Sequence, residues 1–283
     1  MLKTFTGFLY GTSYEIVYQG STGKDYLSEL TWEIKPLFYA GAEIDYSFKD
    51  NTEHHGFSLC AGLKAAIPMK TGVMEDRDWN WGKYGVPPGT LTNFSSHDNH
   101  TKAAFLVNFG ASFSIPAGKF IFGFFLNADY MFFKWEAWNG YLQYMDDNFI
   151  IHQLSGLQIS YIQNWFLFNT GATADLFLGR FTISGGFFLG PSFCIAIDDH
   201  HKRNLRFIDT AYKGLMIKPG LGAAFSFSRQ WSAGINALYL FTTKTRGNTR
   251  EKYFGIFSGY YPNGSGAAFR ALECSIQVRY KFL

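Results

Sequence analysis

The stretch Phe120-Ile121-Phe122-Gly123-Phe124-Phe125-Leu126-Asn127-Ala128-Asp129-Tyr130-Met131-Phe132 alternates between two kinds of residue. Its even-numbered positions are all apolar, whereas its odd-numbered positions mix apolar residues with glycine, asparagine and aspartate. Because successive side chains of a β-strand point to opposite faces, the stretch predicts a strand with one apolar and one mixed face. An apolar face opposite a charged one is typical of a strand between lipid and a polar interior.

The same alternation recurs at 57–67, 103–114 and 272–282. Such repetition predicts an all-β fold, a transmembrane antiparallel β-barrel of about ten strands with apolar residues toward lipid. A soluble β-sandwich is the alternative, but it has shorter strands and would not place lysine and aspartate opposite a stripe of phenylalanines. The sequence therefore favours the membrane barrel.

The composition agrees with a barrel and excludes other classes. The chain has 31 Phe and 17 Tyr but only 17% charged residues, and this aromatic excess needs apolar surroundings. No run of 18 apolar residues exists, which excludes a helical membrane span. The net charge of +3 comes from scattered basic residues, so a nucleic-acid partner is not expected. Three cysteines at no metal-ligand spacing predict small apolar fillers.

Turn residues divide the chain into hairpins. Short turns are predicted near 50–54, 116–118, 179–180 and 228–230, and long loops near 19–28, 70–100, 135–152, 198–210 and 243–266. Short turns belong at the periplasmic mouth of such barrels and long loops outside. Many strands exceed the 9–11 residues that a crossing needs, so we expect the barrel to extend above the outer leaflet. No linker interrupts the pattern, which predicts one barrel domain over 1–283.

The first residues bear on the compartment. Met1 to Phe5 contain no apolar signal segment. Either the chain stays in the cytoplasm or a signal peptide has already been removed.

Two of the predicted extracellular loops carry acidic residues. Asp76 and Asp78 are two residues apart, so on extended chain they face one side. Two close carboxylates repel, which raises one pKa and prepares the pair to hold a water or a proton. A solvated turn or a weak cation site is the alternative. Asp198-Asp199-His200-His201 lies in another loop on the same side, which predicts a cleft over the barrel mouth.

These segments resemble the omptin family of outer-membrane proteases. Met74-Glu75-Asp76-Arg77-Asp78-Trp79 is similar to the family's M-x-D-x-D-W, the most specific of the motifs. Further similarities lie at 15–18 with 27–32 (E-x-V-Y and S-x-L-x-W), 95–97 (S-x-H), 198–200 (D-E-H), 243–249 and 266–282. The resemblance covers most of the chain. It implies a ten-stranded barrel in the bacterial outer membrane with its active site facing outside.

The resemblance implies an endopeptidase of aspartic type in which water is the nucleophile. Asp198 would orient His200, which would act as general base on that water. Asp76 and Asp78 would hold the water from the opposite side and stabilise developing charge. The pair Asp199 and His201 has the same spacing, but alternation after Phe193 and Ile195 favours Asp198 and His200.

The resemblance also implies supporting and substrate-binding residues. Because no acyl-enzyme forms, Ser95 and His97 are expected to support the site. Glu15 would receive a basic side chain of the substrate. The family has a second acidic residue two positions before the dyad aspartate, where this chain has Ala196. Half of the acidic pair is therefore missing, and the preference at the cut stays open.

The expected partners are a peptide or protein substrate and outer-membrane lipid. The resemblance implies no cofactor other than lipopolysaccharide, which the family needs to set its site geometry, and we expect a monomer. Zinc held by His97, His100 and His200 is a rival hypothesis, although no H-E-x-x-H motif is present. The sequence predicts no metal.

A non-catalytic barrel is the rival from another class. A porin is disfavoured because inward-facing Leu106, Phe125 and Phe133 predict a filled lumen. An adhesin on the same scaffold remains the alternative function, since loops vary while strands persist.

Overall fold

A computed structural model describes residues 1–19, 26–49, 56–80 and 85–282 of the chain. These residues form thirteen strands and one short 3₁₀ turn at Met145–Asp147. The strands are β1 (Leu2–Tyr18), β2 (Tyr26–Lys49), β3 (Gly56–Ala66), β4 (Met69–Asn80), β5 (Thr90–Ala117), β6 (Phe120–Tyr144), β7 (His152–Gln153), β8 (Leu157–Leu178), β9 (Phe181–His200), β10 (Leu205–Ser226), β11 (Trp231–Thr242), β12 (Arg246–Tyr253) and β13 (Ile256–Tyr280). Among the described residues, no helix has the length and apolar character needed to cross a membrane.

The strands pair antiparallel into one closed ring. β3 and β4 follow each other along the same position between β2 and β5, as do β11 and β12 between β10 and β13. β7 only extends the edge of β6. The first and last long strands close the ring, because β1 pairs with β13 from Leu2 opposite Tyr280 to Val17 opposite Ser265. The described strands thus make a barrel of ten positions, which confirms the predicted fold.

The alternating residues of β6 face the outside of the barrel and its lumen in turn. Phe124 and Leu126 are 51% and 68% exposed on the outer surface, whereas Asp129 is buried inside the barrel. Large apolar side chains on β3, β5, β9 and β13 are exposed in the same way. This exposed apolar band is stable in the hydrocarbon core of a membrane, because the lipid supplies the apolar contacts. In a soluble protein the same side chains would have to be buried.

Two kinds of connection were predicted with different success. The turns near 116–118, 179–180 and 228–230 fall between paired strands as predicted, while the turn at 50–54, with His54 and His55, lies outside the described residues. The long loops at 70–100, 135–152, 198–210 and 243–266 are wrong, because strands occupy most of them, and the loop near 19–28 falls largely outside the described residues. These strand ends stand above the lipid, where both faces tolerate polar residues. The apolar stripe disappears there although backbone pairing continues.

An aromatic plug closes the lumen beneath the extracellular end. Its members are all at most 4% exposed: Trp32, Phe133, Trp135, Tyr161 and Phe269. The rings stack, with centroids 5.3 Å apart for Trp32 and Tyr161 and 5.0 Å apart for Phe133 and Trp135. Stacked aromatic pairs add stability beyond the area they bury. The predicted filling of the lumen at Phe133 is confirmed.

Below the plug the lumen contains several paired charges. Lys64 Nζ contacts Glu273 Oε1 at 2.5 Å, and Lys218 Nζ contacts Asp129 Oδ2 at 2.8 Å. Paired charges are the arrangement that a low-dielectric interior tolerates. The plug therefore separates these paired charges from the extracellular end.

Replacing Trp135 by alanine should lower the free energy of unfolding by about 3–5 kcal/mol, because it removes a fully buried ring from the plug. Urea unfolding of the barrel in lipid vesicles, followed by tryptophan fluorescence, measures this loss. Trp231→Ala is the matched control, since that ring is 43% exposed on the outer surface and its loss should cost clearly less. Equal costs for the two variants would show that the plug does not stabilise the barrel.

Candidate active site

A cleft of about 380 Å³ opens at the extracellular end, above the plug. It lies between β4 and β5 on one wall and β8 and β9 on the other. Leu142 and Tyr144 of β6, the strand between β5 and β8, also line the cleft, so curvature of this arc of the sheet brings the two walls face to face. The predicted site residues that line it are Asp76, Asp78, Ser95, His97 and His200.

One wall carries a hydrogen-bonded Asp-His pair at the end of β9. His200 Nε2 lies 2.6 Å from Asp198 Oδ2, and the Asp198 side chain is only 2% exposed. An Nε2–H that donates to the carboxylate leaves the free electron pair of the imidazole on Nδ1. Burial lowers the pKa of His200, but the charge of Asp198 and this hydrogen bond outweigh burial and raise it above its usual value.

The neighbouring pair with the same spacing points away from the cleft. Asp199 accepts two hydrogen bonds from the guanidinium of Arg206 on the outer surface. His201 Nε2 lies 2.8 Å from the hydroxyl of Ser160 and is exposed. Strand alternation thus directs Asp198 and His200 inward and their neighbours outward, as the sequence favoured.

The facing wall carries the two carboxyl groups of β4. Asp76 Oδ1 accepts from the hydroxyl of Ser28 at 3.1 Å, and Asp78 Oδ2 accepts from the side-chain amide of Asn93 at 3.1 Å. Burial and the adjacent charge of Asp78 raise the pKa of Asp76 to about 7, although the charge of His200 and the Ser28 hydrogen bond oppose this rise. Asp76 therefore exchanges its proton near neutral pH.

His97 and Ser95 are tied to the wall and to each other. The Nδ1–H of His97 donates to the carbonyl of Asn139 at 2.6 Å, and its Nε2 lies 2.9 Å from the hydroxyl of Ser95. Burial lowers the pKa of His97, the Asn139 carbonyl opposes this, and the charge of His200 adds to it. Both nitrogens of the His97 ring are therefore held by neighbouring groups.

Glu15 lies deeper, three residues before the end of β1. It is 2% exposed, and its Oε2 has no hydrogen-bond partner in the described part of the protein. Burial raises its pKa well above the usual range, and the charges of Asp198, Asp209 and Asp76 add to the rise. An unpartnered buried carboxyl is costly, so its presence calls for a ligand or a function.

The histidines in the described part of the chain do not assemble a metal site. Among the described residues, no three His, Cys, Asp or Glu side chains have the arrangement of one. His100 alternates to the face opposite His97 on β5, so the two do not converge. The zinc hypothesis has no geometric support in this part of the chain.

Sequence reasoning missed the polar partners of the carboxyl groups. Ser28 and Asn93 come from β2 and β5, the two neighbours of β4. Nothing in their own segments marks them, since their role follows from the pairing register. Asp209 was missed for another reason, because it fell within a predicted loop that is in fact the start of β10.

A family comparison matches the Omptin family over residues 1–282. The chain belongs to the omptin family. The plasminogen activator of Yersinia pestis is 25% identical over 231 residues, an alignment covering 76% of this chain and 68% of that relative. The outer membrane protease OmpT from Escherichia coli superposes with a TM-score of 0.88 at 19% identity, covering 99% of this chain and 96% of that one. At 19% identity, this superposition shows a shared fold and nothing further.

Omptins are outer-membrane proteases, so this omptin is a protease of the bacterial outer membrane whose cleft faces the cell exterior. The orientation agrees with the fold, because the long strands extend at the cleft end and the short turns lie at the other.

Replacing Asp198 by asparagine should lower the pKa of His200, because the charge and the charge-assisted hydrogen bond that raise it are removed while burial remains. NMR titration of labelled histidine in micelles measures the change, with His200→Ala used to assign the signal. Asp199→Asn is the control and should leave the pKa unchanged, since Asp199 faces outward. An unaltered titration in the Asp198 variant would contradict the pairing.

Proposed function

We propose that this omptin hydrolyses peptide bonds with a water molecule activated by Asp198 and His200 and held from the opposite wall by Asp76 and Asp78. The observation that carries the proposal is the 2.6 Å contact of His200 with buried Asp198, in a cleft whose other wall presents two carboxyl groups. A base oriented by a carboxylate across from a group that can hold water is the arrangement general base catalysis needs.

The proposed reaction begins with the water between the two walls. Nδ1 of His200 takes a proton as the water oxygen bonds to the scissile carbonyl carbon, and Asp198 stabilises the imidazolium. Asp76, with a pKa of about 7, carries a proton part of the time and in that state donates to the developing oxyanion. The imidazolium then gives its proton to the amide nitrogen as the carbon–nitrogen bond breaks.

Serine catalysis fits this cleft less well. The hydroxyl of Ser95 is hydrogen bonded to His97, whose other nitrogen is held by the carbonyl of Asn139. A serine nucleophile needs a base that an acidic group orients. Here that orientation belongs to His200, so Ser95 and His97 are proposed as supports.

Substrate and environment complete the proposal. The substrate is a peptide or protein presented outside the cell, and Glu15 contributes to its binding. We propose that the barrel acts as a monomer and that lipopolysaccharide is required for full activity, as the family resemblance implies. Assays of the refolded barrel on a mixed peptide library, with and without lipopolysaccharide, test that requirement and identify the cut.

His200→Ala and Asp78→Ala should each reduce kcat/KM for peptide hydrolysis by about 10²-fold or more, because the first removes the base and the second a group that holds the water. Quenched fluorescent peptides measure the rates. The control is Glu75→Gln, which lies beside both acids on β4 but pairs with Arg77 instead.

A barrel that binds protein ligands equally well in all four forms and hydrolyses none of them would be an adhesin. Unchanged hydrolysis in the His200 variant would instead exclude the proposed base.

A further inference from the structure

A second cavity, of about 460 Å³, opens beside the dyad. The rings of Tyr18, Phe207 and Tyr261 line it, together with the carboxyl groups of Glu15 and Asp209. Phe207 connects the two cavities, because its ring also packs edge-on against the imidazole of His200 with 5.8 Å between centroids. A side chain entering this cavity therefore lies next to the proposed catalytic base.

Two of the three acids that line this cavity, Glu15 and Asp209, are buried without a cation, whereas the third, Glu251, accepts hydrogen bonds from Ser258 and Tyr261. Glu15 is 2% and Asp209 is 4% exposed. Asp209 accepts one hydrogen bond, from Thr249 at 2.7 Å, whereas Oε2 of Glu15 has no partner in the described part of the chain. No described residue lining the cavity is lysine or arginine. Burial raises the pKa of both acids, that of Asp209 to about 7.

Such an arrangement is unfavourable in the empty barrel. Two carboxyl groups removed from water must lose their charge or acquire a counter-charge. The lower lumen shows how this chain neutralises acids that serve the fold, since Asp129 and Glu273 each contact a lysine there. Glu15 and Asp209 lack that arrangement, so the missing positive charge is expected from a bound molecule.

Asp209 lies next to Ala196, the position at which the family resemblance led us to expect an acidic residue. Asp209 on β10 is the direct cross-strand partner of Ala196 on β9. Both side chains are buried inside the barrel, and side chains paired in this way have Cβ atoms about 5 Å apart. A carboxyl group at 209 therefore reaches the region that one at 196 would occupy.

The spacing of residues along β9 also indicates which residue of the substrate would place its side chain in this cavity. Ala196 lies two residues before Asp198 on the same face of β9, a distance of about 7 Å along a strand. The side chain that enters the cavity is consequently that of a residue adjoining the bond over His200. A cationic side chain suits the two buried carboxyl groups, and the aromatic walls suit a guanidinium group in particular.

We propose that Asp209 is a specificity residue which, with Glu15, binds the cationic side chain of the substrate residue beside the cleaved bond. The proposal rests on the proposed proteolysis and adds that the acid absent from position 196 is supplied by the neighbouring strand. It makes arginine and lysine the preferred residues at the cut.

The test uses peptides that differ only at one position, which holds arginine or citrulline, its neutral isostere. For the full-length barrel, kcat/KM should be at least about tenfold higher for arginine. Asp209→Asn should reduce that ratio at least about threefold by slowing the arginine peptide while sparing the citrulline peptide. Asp199→Asn, an outward-facing neighbour, should keep the wild-type ratio.

Moving the carboxyl group to position 196 distinguishes an effect of its charge from an effect on folding. The double variant Asp209→Ala with Ala196→Asp moves the carboxyl group across one strand pair and should regain most of the arginine preference. Heat-modified mobility in gel electrophoresis verifies that each variant forms the barrel. A wild-type ratio in folded Asp209→Asn, or no arginine preference in the wild type, would overturn the proposal.

A binding measurement keeps the two proposals apart. In the His200→Ala background the arginine peptide should bind more tightly than the citrulline peptide, and Asp209→Asn should remove the difference. If no peptide is hydrolysed by the wild type but this difference is present, the proteolytic mechanism fails and the cation pocket stands. If hydrolysis occurs and the difference is absent, the pocket fails alone.

Discussion

Closure of the sheet is the constraint on which the rest of this protein depends. Inside lipid every backbone N–H and C=O group has to pair with another backbone group, and only a ring without edges allows this for strands. Once β1 pairs with β13, alternate residues of every strand are directed to one shared interior. Side chains far apart in sequence then meet at the same height. The cleft is a consequence of that meeting.

The interior of the barrel is organised in layers. At the lower end Lys64 and Lys218 pair with inward acids, and above them the buried rings of Trp32 and Trp135 stack. Carboxyl groups just above such a layer lose hydration without gaining a counter-charge. This explains why burial is the leading cause of the raised pKa values of Glu15, Asp76 and Asp209. In the proposed function, the fold bears that cost where a substrate or a water is bound.

The predictions from sequence succeeded where one face meets lipid and failed above it. Phe124 and Leu126 lie on the outer surface because hydrocarbon requires an apolar face. The sequence meets that requirement with an apolar residue at every second position of the strand. Above the membrane both faces meet water, so the period of two remains in the backbone but fades from the residue types. The start of β10 was interpreted as a loop for this reason, and Asp209 was overlooked with it.

The sequence by itself determined the barrel, its lipid-facing residues and the candidates Asp76, Asp78, Asp198 and His200, because short-range alternation and local motifs carry that information. The tertiary structure alone decided which groups surround them. Cross-strand register joins residues with no relation along the chain, so Ala196 and Asp209 become neighbours only when β9 and β10 pair. Whether a missing acid is a loss or a relocation is thus a property of the closed sheet, not of either segment.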